Sequence, residues 1–238
     1  MCHCCCVTFE AESDAVEGAR VAIDHVLIVS RDLVATAAAL FERTGLASIP
    51  GGVHDGLGTR NVIVPLGVGY LEIVEAHDEA LAQENPFARL VLAGHAAAQQ
   101  AGRDDVLFAW SVAVDDASAV AARLDTGTMS LSRAGVSVQL AGVEECVTNP
   151  ARPFFLQREP GQESPASKPA GHRVDPIGIS HISIATPNEP SWRTEVPTGE
   201  IIVDCRSEPA SALLSVDIDV RNGATIHLTT LEPVGASV

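Results

Sequence analysis

The 238-residue sequence is poor in aromatic side chains, which make up 4% of the chain, and poor in positive charge. Hydrophobic residues reach 46%, so a core is available, but it has to be built mainly from Val, Ala, Leu and Ile. The 15 Lys and Arg against 31 Asp and Glu give a formal net charge of −16, which repels phosphate backbones and anionic lipid surfaces. Nucleic acid is therefore not an expected partner.

Long hydrophobic runs are also missing, because charged residues interrupt each apolar stretch well before bilayer length. No membrane-spanning helix is expected, and no basic start with an apolar core follows Met1 as in a secretory signal.

Dispersed cysteines are lacking too. Four of the six lie within Cys2–Cys6, and only Cys146 and Cys205 lie in the body of the chain. These features favour a reducing cytoplasm.

Residues 1–20 are predicted to be a disordered leader. The cysteines of Cys2–Cys6, together with His3, have the thiolate and imidazole chemistry of a soft-metal site. Their spacing lacks the two-residue gaps of structural zinc sites, and an acidic run follows. The leader is the preferred interpretation, and the role of the cluster stays open.

From residue 21 onward, strand and helix patterns follow one another in a repeated order. A β-branched strand comes first, and Asp32 is placed to cap the helix that Gly45 ends. A glycine-rich connection and two strands follow, and Asn85-Pro86 begins a second helix. The same order then returns: a strand is followed by a helix, which Asp116 caps, and by three further strands. Later strands are expected within 178–185, 200–205, 213–220 and 224–230.

The spacing of corresponding residues supports a repeated unit. His25 and Glu72 are 47 residues apart, as are Trp110 and Gln157. In the C-terminal part, His181 and His227 are 46 residues apart, although prolines leave no room there for a full helix. Repetition at a fixed period indicates one duplicated supersecondary unit.

Two polar residues interrupt the apolar strands. Glu72 lies between Leu71 and Ile73, and a carboxylate buried there is costly unless it is paired or binds a metal ion. His25 lies in the strand VAIDHVLIV, among apolar neighbours. We expect both side chains to point into one concavity, with ligand atoms roughly 3–4.5 Å apart, as metal ligands would be.

Five segments resemble the vicinal oxygen chelate superfamily, in particular its glyoxalase-like domain branch. The resemblance implies an α+β fold in which paired βαβββ modules form an open curved sheet, with a degenerate third βαβββ-like unit at the C-terminus, packed on the main domain. The segments are 24–33, 51–61, 69–76, 85–90 and 152–157. The implied divisions are module one 21–102, module two 103–158, a linker 159–176, and the third unit 177–238.

The resemblance also implies a site. His25 and Glu72 correspond to metal ligands, and Glu72 is the expected catalytic carboxylate. Trp110, which cannot ligate a metal, and Gln157 hold the matching places of module two, so they are expected with His54 and Asn61 to contact substrate. A set of two histidines and one carboxylate would need His54, or one of the C-terminal histidines His181 and His227, as its third member.

Two functions follow from this resemblance. In the first, a divalent ion (Zn, Fe, Mn or Ni) held by His25 and Glu72 binds adjacent oxygens of a small substrate, in a lyase, isomerase or dioxygenase reaction. In the second, the same cup binds a small molecule without metal or catalysis, as resistance-type relatives do. A small molecule is the expected partner in both, and a homodimer is compatible with either.

Overall fold

The computed structural model describes residues 22–133, 136–188, 192 and 202–230. The predicted leader with its cysteine cluster lies outside these residues, as do parts of the predicted third unit.

The described chain contains twelve strands, five α-helices and one 3-10 turn. The strands are β1 (Ala22–Ser30), β2 (Ile49–Val53), β3 (Thr59–Pro65), β4 (Tyr70–Ala76), β5 (Asp105–Ala113), β6 (Thr128–Arg133), β7 (Val136–Ala141), β8 (Phe154–Arg158), β9 (Pro176–Thr186), β10 (Ile202–Ser207), β11 (Ala212–Val220) and β12 (Thr225–Thr229). The helices are α1 (Leu33–Thr44), α2 (Glu79–Ala82), α3 (Pro86–Gln100), α4 (Ala117–Leu124) and α5 (Val143–Thr148), with the 3-10 turn at Pro165–Ser167.

The three longer helices begin where their capping residues predict. The Asp32 side chain accepts from the N–H groups at the start of α1, and Gly45 ends that helix with φ of 77°, a conformation that suits glycine. Asn85 caps α3 with Pro86 at its first position, and Asp116 caps α4. These local signals fix the chain direction on either side of each strand.

Eight strands form one sheet in the order β2-β3-β4-β1-β5-β8-β7-β6. β1 and β5 pair antiparallel at its centre, β1 pairs parallel with β4, and β5 pairs parallel with β8. Each half therefore has the same internal order, with its first strand beside its last. This confirms the predicted pair of βαβββ modules in one curved sheet.

The C-terminal strands form a second sheet, in the order β10-β9-β11-β12. Here the first strand, β9, lies between β10 and β11, whereas in both modules the first strand pairs with the last. The third unit thus shares elements with the modules but not their strand order. Its apolar side chains join those of the main sheet in one core, with Ile182, Val216 and Ile218 in the same cluster as Trp110.

The main sheet carries a different apolar cluster on each face, because successive side chains of a strand alternate. One cluster packs α1, α4 and the second sheet against residues such as Trp110 and Phe155. The other packs α3 and α5 against residues such as Leu27 and Phe154. In the described residues, no helix has both the length and the apolar character that crossing a membrane requires.

Candidate functional site

A cavity of about 120 Å³ lies on the face of the main sheet that carries α3. Strands of both modules contribute to it, and the linker after β8 closes one side through Glu163, Pro165 and Lys168. Much of its wall is apolar, including Ile63, Phe87, Leu131, Leu140, Phe154 and Leu156. The polar side chains of its interior come from β1, β3 and β4, from the turn after β2 and from the end of β8.

His25 and Glu72 meet in this cavity. His25 Nε2 lies 3.5 Å from Glu72 Oε2, and both side chains are almost completely buried. They come from neighbouring strands, since β1 and β4 pair in parallel with His25 opposite Tyr70 and Leu27 opposite Glu72. The distance falls within the expected range but is too long for a hydrogen bond. A gap therefore separates an imidazole nitrogen and a carboxylate oxygen that face each other.

A β-bulge brings Asp24 to the same site. In the pairing of β1 with β5, Ile23 lies opposite Val112 and His25 lies opposite Ser111, so Asp24 is the extra residue. Its carboxylate can consequently reach His25, with Asp24 Oδ1 2.6 Å from His25 Nδ1. An ionised carboxylate only accepts, so Nδ1 donates its proton and Nε2 is the atom presented to Glu72.

Arg158, at the end of β8, holds Asp24 from the other side. Its Nη2 donates to Asp24 Oδ1 at 2.9 Å, and its Nη1 donates to Oδ2. Burial alone would raise the pKa of Asp24, but the hydrogen bonds and charges of His25 and Arg158 outweigh burial and lower that pKa from 3.8 to about 2. Asp24 is therefore an anion at neutral pH, in position to stabilise a positively charged His25.

Asn61 and His54 surround the other oxygen of Glu72. Asn61 Nδ2 donates to Glu72 Oε1 at 2.5 Å, and His54 Nε2 lies 3.7 Å from the same oxygen. His54 Nδ1 lies 2.8 Å from Thr59 Oγ1, which orients the ring. Gly51 makes room for this arrangement, because a Cβ there would lie 2.0 Å from Asn61 Oδ1. The glycine-rich segment thus brings His54 and Asn61 to the cavity.

Aromatic side chains fix the two imidazoles. The His25 ring stacks on Tyr70 with centroids 4.8 Å apart and an interplanar angle of 16°, and the Phe154 ring meets it edge-on. Phe87 meets His54 edge-on at 5.4 Å. Each ring therefore has little rotational freedom, and the polar atoms of the site are held in place before any ligand binds.

Trp110 and Gln157, in contrast, do not line the cavity. Trp110 is fully buried on the opposite face of the sheet, where its Nε1 donates to Ala151 O. Gln157 Oε1 accepts from the N–H of Ala117 at the start of α4. The sequence repeat placed both residues one position away from the cavity-facing ones, and on a strand one position reverses the face.

The strand pairing identifies the residues at the matching places of module two. Ser111 faces His25 across the central strand pair, and Ser111 lies opposite Phe154 as His25 lies opposite Tyr70. Two residues further along β8, Leu156 therefore corresponds to Glu72. Module two offers a hydroxyl and an apolar side chain where module one offers imidazole and carboxylate.

The C-terminal histidines lie away from the cavity lining. His181 Nδ1 is 3.3 Å from Asp217 Oδ2, and His227 Nδ1 contacts the other oxygen of Asp217. His181 Nε2 lies 3.1 Å from Asp204 Oδ2. These residues form a row across the second sheet and do not supply a third member to the His25–Glu72 pair.

Sequence reasoning missed several side chains of the site. Tyr70 carried a signal, because it lies two positions before Glu72 and so shares its face. Asp24 carried no such signal, because a β-bulge changes the direction of its side chain from the one that strand alternation predicts. Phe154 and Arg158 lie on the cavity-facing side of β8, whereas Gln157 lies on the other side, so both were missed because the face of β8 was assigned one position out.

The donor set bears directly on whether a divalent ion fits here. Two histidines and one carboxylate are a common set for such ions, and His25, His54 and Glu72 supply them. However, His54 Nε2 lies 3.3 Å from Asn61 Nδ2 and so already faces a polar side chain of the protein. In the described part of the chain, no three His, Cys, Asp or Glu side chains converge to hold an ion. The residues do not make a three-ligand metal site.

The paired modules, together with a cavity at the central strands, define a protein of the vicinal oxygen chelate class. The family model described as Glyoxalase-like domain matches residues 23–198, and the chain belongs to this family. Among curated protein sequences, none matches the chain.

The chain is similar to several solved structures, the first of which supports the fold. A hypothetical protein from Staphylococcus aureus is similar with a TM-score of 0.60 and 14% identity, over 87% of this chain and 98% of that one. Methylmalonyl-CoA epimerase from Mycobacterium tuberculosis has a TM-score of 0.41 and 16% identity, over 59% of this chain and 89% of that one. A methylmalonyl-CoA epimerase in complex with methylmalonyl-CoA and NH4+ has a TM-score of 0.41 and 18% identity, over 61% and 99%.

Proposed function

We propose that the protein is an enzyme that moves a proton on a small, carbonyl-bearing substrate bound in the cavity. The observation that carries this proposal is the facing pair of His25 Nε2 and Glu72 Oε2, 3.5 Å apart and buried beside an apolar wall. A carboxylate and an imidazole that face each other at this distance can act on one substrate as general base and hydrogen-bond donor.

In the proposed reaction, Glu72 takes a proton from the carbon next to the carbonyl, and the electron pair of that C–H bond moves toward the carbonyl oxygen. His25 donates a hydrogen bond from Nε2 to this oxygen and keeps its proton throughout the reaction. Asp24 stabilises the imidazolium, because its ionised carboxylate accepts from Nδ1. Return of the proton to either face of the same carbon, or to a neighbouring atom, gives an epimerised or isomerised product.

The remaining polar residues have supporting roles in this proposal. Asn61 donates to Glu72 Oε1 and so leaves Oε2 as the oxygen that receives the proton. His54 and Asn61 are candidate substrate contacts, because both line the cavity.

Hydrogen–deuterium exchange tests the proposal across several substrate classes at once. The protein is incubated in D2O with short 2-oxo acids, hydroxyketones and acyl thioesters, and loss of the C–H signal next to the carbonyl is followed by 1H NMR. We expect catalysed exchange in at least one of these classes. If a compound binds in the cavity but no compound of any class shows exchange, the proposed enzymatic function is contradicted. That result would favour a small-molecule binding protein.

A divalent ion remains part of the family-based hypothesis, with His25 and Glu72 as its protein ligands. Two such donors are a weak site, since catalytic ions usually have three protein ligands. We therefore expect dialysis against a chelator to remove any ion and to leave the exchange rate largely unchanged. Metal analysis by mass spectrometry on the wild type and on His25→Ala measures this. One tightly held ion per chain that is lost in His25→Ala, together with exchange that stops on chelation and returns when the ion is added back, would contradict it.

A further inference from the structure

A cationic side chain at the mouth of the cavity has no role in the proposed proton transfer. Lys168 is the single lysine of the sequence, in which the other 14 cationic side chains are arginines. It lines the cavity from the linker after β8 and is exposed to solvent. Glu163 lines the same rim, yet no ion pair joins Lys168 to any residue that the structure describes.

Arg158, the other cationic side chain that lines the cavity, is already paired with a carboxylate. Both terminal nitrogens of Arg158 donate to the buried Asp24 carboxylate. A ligand that carries a negative charge would have to break that pair in order to use Arg158, which would leave a buried carboxylate without its partner. Lys168 is the cation that can bind an anion at no such cost.

The backbone on both sides of Lys168 is anchored. Ala166 is buried against Ile63 and Tyr70, and its carbonyl accepts from Gly67 N at 2.9 Å. On the other side, His172 Nδ1 accepts from Ala47 N at 2.9 Å. The Lys168 backbone is therefore held at the cavity mouth, while its long side chain keeps the freedom to reach a ligand.

We propose that Lys168 recognises an anionic group, such as a carboxylate, on the molecule that enters the cavity. This inference rests on the proposed function and names the substrate class: a small molecule with an apolar body in the cavity and a negative charge at its mouth. The net charge of −16 repels anions from the rest of the surface, so one local cation has a large influence on which anions bind. Lys168 is then a specificity-determining residue.

The single lysine allows a direct measurement. Reductive methylation with 13C-formaldehyde keeps the charge of lysine and gives one side-chain signal, distinct from that of the α-amine. We expect butyrate to shift this signal in a saturable way and the neutral isostere butyramide to leave it unshifted. Equal effects of acid and amide in the wild type would overturn the proposal.

Variants test the charge itself, through ligand-observed NMR of unlabelled protein with the same two probes. We expect the wild type to prefer butyrate over butyramide by about fivefold, the upper range for a partly exposed charge pair. Lys168→Met should lose this preference and Lys168→Arg should retain it. Arg31→Met removes the same charge from an exposed position outside the cavity lining and should also retain it. A preference that survives in Lys168→Met would overturn the proposal.

The two proposals fail separately. Binding preference is measured without turnover, so it remains measurable in Glu72→Gln, which should keep the preference for the acid. Loss of the Lys168-dependent preference with intact deuterium exchange would refute the role of Lys168 alone. An intact preference without any exchange would refute the proton-transfer function alone.

Discussion

Replacing Arg158 with methionine removes the cation that faces a buried carboxylate. The Asp24 side chain is 3% exposed and that of Arg158 is 16% exposed, so solvent cannot replace the lost interaction. Removing one partner of a buried ion pair costs about 3–5 kcal/mol, and the partial exposure of Arg158 favours the lower end, about 3 kcal/mol. This is a large fraction of the stability of an ordinary domain, about 5–15 kcal/mol.

Urea unfolding at pH 7, followed by circular dichroism, measures this loss for Arg158→Met. Asp24→Asn and the double variant complete a double-mutant cycle. We expect the double variant to be more stable than the sum of the single losses predicts, because it contains no unpaired buried charge. A single loss below about 1 kcal/mol, or strictly additive losses, would refute the inferred role of the pair.

The pH dependence of the Arg158→Met deficit has a defined sign. In the wild type, the lowered pKa of Asp24 gives stability that is present above 3.8 and is lost as the pH falls toward about 2. Without Arg158, Asp24 keeps its contact with His25 but loses the second partner that lowers its pKa, so the pKa of Asp24 in the folded variant lies above that in the wild type. The deficit should therefore shrink as the pH falls through 3.8 toward about 2, and a growing deficit would contradict this reasoning.

Three further outcomes are expected in the scaffold. Burial lowers the pKa of His172 from its ordinary 6.5, and its Nδ1 accepts a hydrogen bond from Ala47 N. The melting temperature should therefore fall as the pH drops below about 6.5, because the unfolded chain takes up a proton there more readily than the folded one. An equal fall in His172→Gln would contradict this. Gln157→Ala should cost about 0.5–2 kcal/mol in urea unfolding through the lost cap on α4 and leave deuterium exchange unchanged. Gly94→Ala should cost about 1–3 kcal/mol, because its Cβ would lie 2.6 Å from Val29 Cγ2, whereas a stabilised variant would show that α3 can shift.

Much of the fold was predictable because its signals are local. The caps at Asp32, Asn85 and Asp116 act within three residues of each helix start, so the sequence alone reveals them. The repeated spacing predicted two modules, since each module buries its apolar strands in the same order. Helix α5 escaped prediction, because it has six residues and Gly142 gives it no side-chain cap.

The site was predictable only in part. His25 and Glu72 stood out because polar residues interrupt apolar strands, and His54 and Asn61 because a glycine-rich segment precedes a strand. Which residues of β8 face the cavity depends on the strand register. An error of one residue in that register led to the prediction of Gln157 in place of its neighbours. The order of the second sheet is equally invisible in the sequence, because it depends on which strand edges pair.

Deuterium exchange in Glu72→Gln is the most direct test of the proposed proton transfer. The substitution keeps the size of the side chain and removes the basic oxygen, and Glu84→Gln, at an exposed position, removes the same charge elsewhere. With the best compound of the panel, we expect Glu72→Gln to slow exchange by about 10²–10⁴-fold, with an unchanged circular dichroism spectrum. Glu84→Gln should exchange at the wild-type rate. Exchange in folded Glu72→Gln within a few-fold of the wild-type rate would contradict the role assigned to this carboxylate.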